Sequence, residues 1–220
     1  MPRFINESLY RPEVFLSNVS IWDWQINGYQ LVMIIWNIFL AVVAVYITHW
    51  LVRYLRQKNK KPVAIFFLFL FWFFMVPNTT YLLTDARHII GYCPVASFGN
   101  VCVENAWMVL FFFTFAAMGW VACVWSIRPL RLFITKMYGQ GWGIIFIIFI
   151  VPIISLGVLL GLLNRWNSWE IITSPGHILS SSLIYVSDLT YFKNWLIMSI
   201  LLYLLYFTGE KLFLKLKWEK

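Results

Sequence analysis

Five stretches of this chain are each apolar over about the 20 residues that a helix needs to cross a bilayer core, and a polypeptide carrying five of them belongs in a membrane. The first runs from Ile26 to Leu51, the second from Val63 to Leu83 and the third from Ala106 to Ile127. The fourth covers Trp142 to Leu163 and the fifth Trp195 to Leu214. Composition points the same way. Of the 220 residues, 61% are hydrophobic, 20% aromatic and only 12% charged, with a mean hydropathy of +0.76. Soluble domains carry about a quarter charged residues, and none of this size could bury 13 tryptophans and 20 phenylalanines. A soluble enzyme, a disordered tail and a disulfide-stapled secreted domain are thereby excluded. The expected fold is all-α, a polytopic bundle of about five spans forming one membrane domain over residues 1–220.

The net charge of +8 would suggest nucleic acid in a soluble chain, but its distribution gives a different reason. Twelve of the 17 basic residues follow the first, third and fifth spans, from Arg53 to Lys61, from Arg128 to Lys136 and from Lys211 to Lys220. Positive charge collects on the cytoplasmic side, so the amino terminus is expected outside and the carboxyl terminus inside. Seven of the nine acids lie on the outer side, among them Asp85, Glu170 and Asp188. Topology and attraction to anionic lipid heads account for the excess, and no nucleic-acid partner is implied. Residues 1–25 contain Glu7, Glu13 and Asp23 and lack a basic-then-apolar leader pattern, so this arm is expected to be retained. Trp22, Trp24, Trp107, Trp166, Trp169 and Trp195 fall near the proposed outer interface. The stretch from Ile178 to Phe192 is too short and serine-rich to span, which predicts an interfacial or re-entrant segment in an outer loop of residues 164–194.

Polar side chains at membrane depth are costly and therefore functional candidates. They gather on the outer side. The second span closes with Pro77-Asn78-Thr79-Thr80-Tyr81-Leu82-Leu83-Thr84-Asp85-Ala86-Arg87-His88. If an α-helix continues past Pro77 at about 100° per residue, Asn78, Tyr81, Asp85 and His88 fall within an arc of about 80°, while Thr79 and Arg87 point elsewhere. Such a stripe should face another helix or a wet cavity. Asp85 and His88, three apart, can meet on a helix surface; a carboxylate beside an imidazole raises its basicity and suits either a general base or a metal ligand. The alternative is a pair that merely satisfies backbone groups at a helix end.

The fourth span closes with Arg165-Trp166-Asn167-Ser168-Trp169-Glu170, after Gly157 and Gly161, whose spacing lets another helix approach closely. Arg165 could grip a carboxylate or phosphate bidentately, or pair with Asp85 or Glu170 as an interhelical lock. Asp85, His88, Glu170, His177 and Asp188 are chemically able to hold a divalent metal, although their spacing matches no compact ligand motif. His49 lies on the wrong side to join them. Cys93 and Cys102 share an outer loop of residues 84–105 where a disulfide could close a small ring, while Cys123 lies within the third span. Pro152 reads as a kink in the fourth span. There is no G-x-S-x-G, no H-E-x-x-H and no nucleotide-binding glycine loop.

Together the two outer blocks resemble a bacterial membrane family known as domain of unknown function 1361. Its members carry P-N-x-x-Y, an apolar pair and T-D-x-x-H at the end of an early span, matched here by Pro77, Asn78, Tyr81, Thr84, Asp85 and His88. A later family block ends R-x-N-S-W-D, matched by Arg165, Asn167, Ser168 and Trp169, with Glu170 in place of the aspartate. Leu162 stands where the family often has a further arginine. The resemblance implies a bacterial cytoplasmic-membrane protein and implies no reaction.

Both blocks end antiparallel spans on one side, so a single bundle can bring them together. The expectation is a polar pocket at the outer leaflet lined by Asn78, Tyr81, Thr84, Asp85, His88, Arg165, Asn167, Ser168, Trp169 and Glu170. As an enzyme, Asp85 would orient His88 as a general base while Arg165 held an anionic, lipid-linked substrate. The alternative is a non-enzymatic transporter subunit or assembly factor, although the inner halves of the helices offer little polar path beyond Asn37, Thr114 and Ser199. Membrane lipids are partners on either reading.

Overall fold

The computed structural model describes residues 25–26, 29–59, 61–89, 107–166 and 170–213. A two-residue antiparallel ladder, β1 (Gln25–Ile26) and β2 (Tyr29–Gln30), leads into α1 (Leu31–Leu55) and α2 (Pro62–Thr84). A 3₁₀ turn (Asp85–Ile89) follows, then α3 (Trp107–Tyr138), α4 (Gln140–Leu163), α5 (Glu170–Thr173), α6 (Pro175–Ser187) and α7 (Leu189–Phe213). Five of these helices, α1, α2, α3, α4 and α7, are long and apolar enough to cross a membrane. The chain is therefore an all-α, multi-pass membrane protein. Large side chains such as Phe66, Phe113, Phe149 and Leu204 point outward because lipid, not water, is the solvent there.

Helices α2 and α3 form the centre: α2 packs on α1, α3 and α4, and α3 packs on α1, α2, α4 and α7. Since lipid tails are as apolar as leucine, such packing rests on close contact and interhelical hydrogen bonds rather than on expulsion of water. One hydrogen-bonded junction ties three helices. The fully buried Trp72 of α2 donates from Nε1 to Thr48 Oγ1 of α1 at 2.9 Å and to the Ser126 carbonyl of α3 at 3.2 Å. The Thr48 hydroxyl lies 3.0 Å from that same carbonyl and 2.9 Å from the Ala44 carbonyl. Thr48→Val keeps the shape and deletes the hydroxyl, so unfolding in detergent should show a loss of about 1 kcal/mol.

Several boundaries differ from the sequence expectation, beginning with the first helix, which starts at Leu31 rather than Ile26 because Gln25–Ile26 and Tyr29–Gln30 pair as a ladder. The third helix does not stop at Ile127; it runs on through Arg128, Pro129 and Arg131 to Tyr138. The charges mark the membrane edge but not the helix end, because Glu210 of α7 accepts them: Arg131 donates to Glu210 Oε2, and Arg128 Nε lies 4.0 Å from Oε1. The last helix begins at Leu189 rather than Trp195 because Asp188 caps it, its Oδ1 accepting from the Thr190 and Tyr191 amides at 2.8 and 3.1 Å. The stretch from Ile178 to Phe192 is thus divided between the short helix α6 and the first turn of α7. The first helix continues four residues past Leu51 to Leu55.

Candidate functional site

Pro77 does not break α2. The helix continues to Thr84, and the bare backbone of Gly157 on α4 sits against the proline ring, so that a Cβ there would lie 2.9 Å from Pro77 Cγ. One turn further out, a Cβ on Gly161 would lie 3.2 Å from the Tyr81 ring. The small residues therefore seat the outer end of α2 on that of α4, as their spacing predicted.

Helices α1 and α4 both flank the outer half of α2, and between them runs a cleft of about 930 Å³. Its polar lining includes Asn37 of α1, Asn78 and Tyr81 of α2, Arg87 of the 3₁₀ turn and Arg165 at the end of α4. Apolar side chains of α1, among them Trp36, Phe39 and Leu40, form the opposite wall. Met33, Ile35, Trp36 and Phe39 on this wall are exposed.

Arg165 owes its position to an unusual backbone. Its φ of 62° lies in the left-handed region, which costs a residue with a Cβ about 1–2 kcal/mol and which glycine occupies freely. The turn is held by its surroundings: the Trp166 amide donates to the Leu160 carbonyl at 3.3 Å, and Trp166 Nε1 donates to Ser181 Oγ of α6 at 3.2 Å. The Tyr185 hydroxyl of α6 donates to Asn164 Oδ1 at 3.2 Å, and the ring of His177 stacks on that of Trp166 with centroids 6.4 Å apart. Burial raises the Tyr185 phenol above its usual value, with the nearby Tyr191 adding to the shift, so Tyr185 stays protonated as the donor. Arg165 itself is exposed at the mouth of the cleft.

The stripe on α2 is only partly assembled. Asn78 and Tyr81 line the cleft, but Asp85 is 1% exposed and is not among its lining residues. Arg87, expected to point elsewhere, lines it instead: its Nη2 donates to the Tyr81 hydroxyl at 3.3 Å, and its Cζ lies 5.9 Å from the Tyr81 ring centre. The reason is the change of winding at Asp85. Continued as an α-helix, Arg87 would fall about 120° from Tyr81; with 3₁₀ winding the separation shrinks to about 70°. The same turn packs against α3, where Asp85 is buried. Thr84 Oγ1 donates to the Tyr81 carbonyl at 2.7 Å and so bonds within its own helix. Asn78 likewise donates from Nδ2 to the Met75 carbonyl at 3.0 Å.

Glu170 opens α5, half-buried, and His177 is exposed on α6. Among the described residues no three His, Cys, Asp or Glu side chains converge, so Asp85, Glu170 and His177 do not form a three-ligand group. The side chain of His88, together with Asn167, Ser168, Trp169, Cys93 and Cys102, lies outside the described residues. The ion pairs of Arg128 and Arg131 with Glu210 fall at the far end of the bundle. Sequence reasoning missed that cluster, the part played by Arg87, and the apolar wall from α1. A lone acid at Glu210 within an apolar segment was the available signal for the first.

Fold and spans define a multi-pass helical membrane protein. A family model described as Protein of unknown function (DUF1361) matches residues 36–207, which include both outer blocks, and the chain belongs to that family. No curated protein and no solved structure matches it.

Proposed function

We propose that this protein binds, in the outer leaflet of a bacterial cytoplasmic membrane, a lipid-linked substrate with an anionic head. The carrying observation is Arg165, held exposed in a strained backbone and lining a cleft that Arg87 also lines. Strained conformations persist where surrounding structure over-determines them, as at ligand clamps. Guanidinium groups match phosphate and carboxylate oxygens bidentately. The excess of basic residues after the first, third and fifth spans supports the orientation, with the cleft facing outward.

As an enzyme, the protein would use Asp85 as the orienting group and His88, one 3₁₀ turn later, as the base, and since Asp85 is buried and does not line the cleft, this pair would act on a substrate reaching past Arg87. The protein reconstituted in nanodiscs should bind vesicle-derived anionic phospholipids in preference to phosphatidylcholine, read by native mass spectrometry of retained lipids. Equal retention of both classes would defeat the proposal.

A further inference from the structure

A second space lies on the other side of the α2–α4 crossing. It has a volume of about 240 Å³ and is bounded by Trp72 and Phe73 of α2, by Ile150, Ile153 and Ile154 of α4, and by Ile178 of α6. Ser182 on its rim donates its hydroxyl to the Ile178 carbonyl at 2.8 Å, so this side chain too presents little polarity. Pro77, Gly157 and Trp166 belong to the linings of both the chamber and the cleft, and the two spaces therefore abut. From Ile150 to Leu160, both on its wall, α4 rises about 15 Å, which is about half of a 30 Å hydrocarbon core. The chamber thus has the depth of one leaflet's tails.

Resting on the head-group reading above, we propose that the ligand is a long-chain phosphate lipid bent around the Pro77–Gly157 contact. Its phosphate lies between Arg87 and Arg165, and its hydrocarbon tail enters the chamber beneath α5 and α6. Charge complementarity argues for the occupant: the described lining of the cleft carries these two arginines and no carboxylate. Chemistry argues against a wholly polar ligand, because the adjoining chamber offers a hydrophilic molecule nothing to bond. Trp166 stands at the junction and lines both spaces, its indole N–H bonded to Ser181.

The test uses the full chain in nanodiscs and hexadecyl phosphate carrying a mid-chain diazirine, with labelled peptides read by mass spectrometry. Labels are expected between Ile150 and Leu160 and between Ile171 and Ser182. Excess dodecyl phosphate should displace them, dodecanol should not, and Arg165→Ala should reduce them about tenfold. Ile153→Trp, which fills the chamber from α4, should weaken hexadecyl phosphate binding and leave that of butyl phosphate unchanged. Labels confined to Val32–Leu40 of α1 and still displaced by butyl phosphate would overturn the tail assignment while leaving the head site standing. Chamber labels that dodecanol displaces as well as dodecyl phosphate would overturn it by showing an ordinary lipid-chain groove. Labels that no phosphate displaces would overturn both readings.

Discussion

Arg165→Ala is expected to weaken binding of an anionic lipid by about 10- to 100-fold, the range that follows from losing a charge-assisted contact worth about 1.5–3 kcal/mol. Arg165→Gly should weaken it equally. The two variants part on stability: with φ at 62°, glycine relieves a left-handed strain that alanine retains, so Arg165→Gly should be about 1 kcal/mol more stable than Arg165→Ala. Binding measured by native mass spectrometry and unfolding measured in the same detergent give the two axes. A glycine variant that binds like the parent would show that the backbone turn, not the guanidinium, matters. Arg165→Lys keeps the charge but not the fork, and should recover only part of the affinity. This pattern separates an anion grip from a structural lock, for which stability and binding would fall together.

Glu210→Leu should be the most destabilising single change at the opposite end of the bundle, at about 3–5 kcal/mol. Glu210 is 9% exposed and faces Arg128 and Arg131, so its removal leaves two largely buried cations without their carboxylate. Adding Arg131→Met to Glu210→Leu should restore most of the loss, because an apolar pair replaces a desolvated ionic one and the long stem of Arg128 can reach the headgroups. Unfolding of the single and double variants in detergent measures the coupling. A Glu210→Leu protein within about 1 kcal/mol of the parent would mean that water reaches the cluster and screens it. Lipid retention should be little changed in the double variant, since the cluster lies outside the cleft.

Part of the candidate cleft was legible because its polar residues stand where lipid is expected. Asn78, Tyr81 and Arg165 fall on one cleft, as the ends of two antiparallel spans and the Gly157–Gly161 spacing required. Asp85 and Arg87 exchanged parts, and no helical-wheel argument could have foreseen it. A uniform 100° step fails once the winding tightens, and the tightening begins at Asp85, in the turn that packs on α3. Trp166 passed as one member of an aromatic belt, yet its indole N–H bonds to Ser181 and helps to hold the Arg165 turn. The apolar wall on α1 carried no signal of its own, since its side chains resemble any lipid-facing set.

Five apolar lengths, the asymmetric charges and the two outer blocks are properties of local sequence, and they determined that this chain crosses a membrane with its unusual residues at one end. That much follows from the cost of backbone and charge in hydrocarbon, which each segment meets by itself. Tertiary contacts decided the rest: how far α3 continues past its arginines, where Asp188 starts α7, and which face of the 3₁₀ turn meets the cleft. Each depends on a partner distant in the chain or on a cap whose competition with alternatives is settled only when the helices pack. Burial depth follows from composition, but azimuth follows from neighbours.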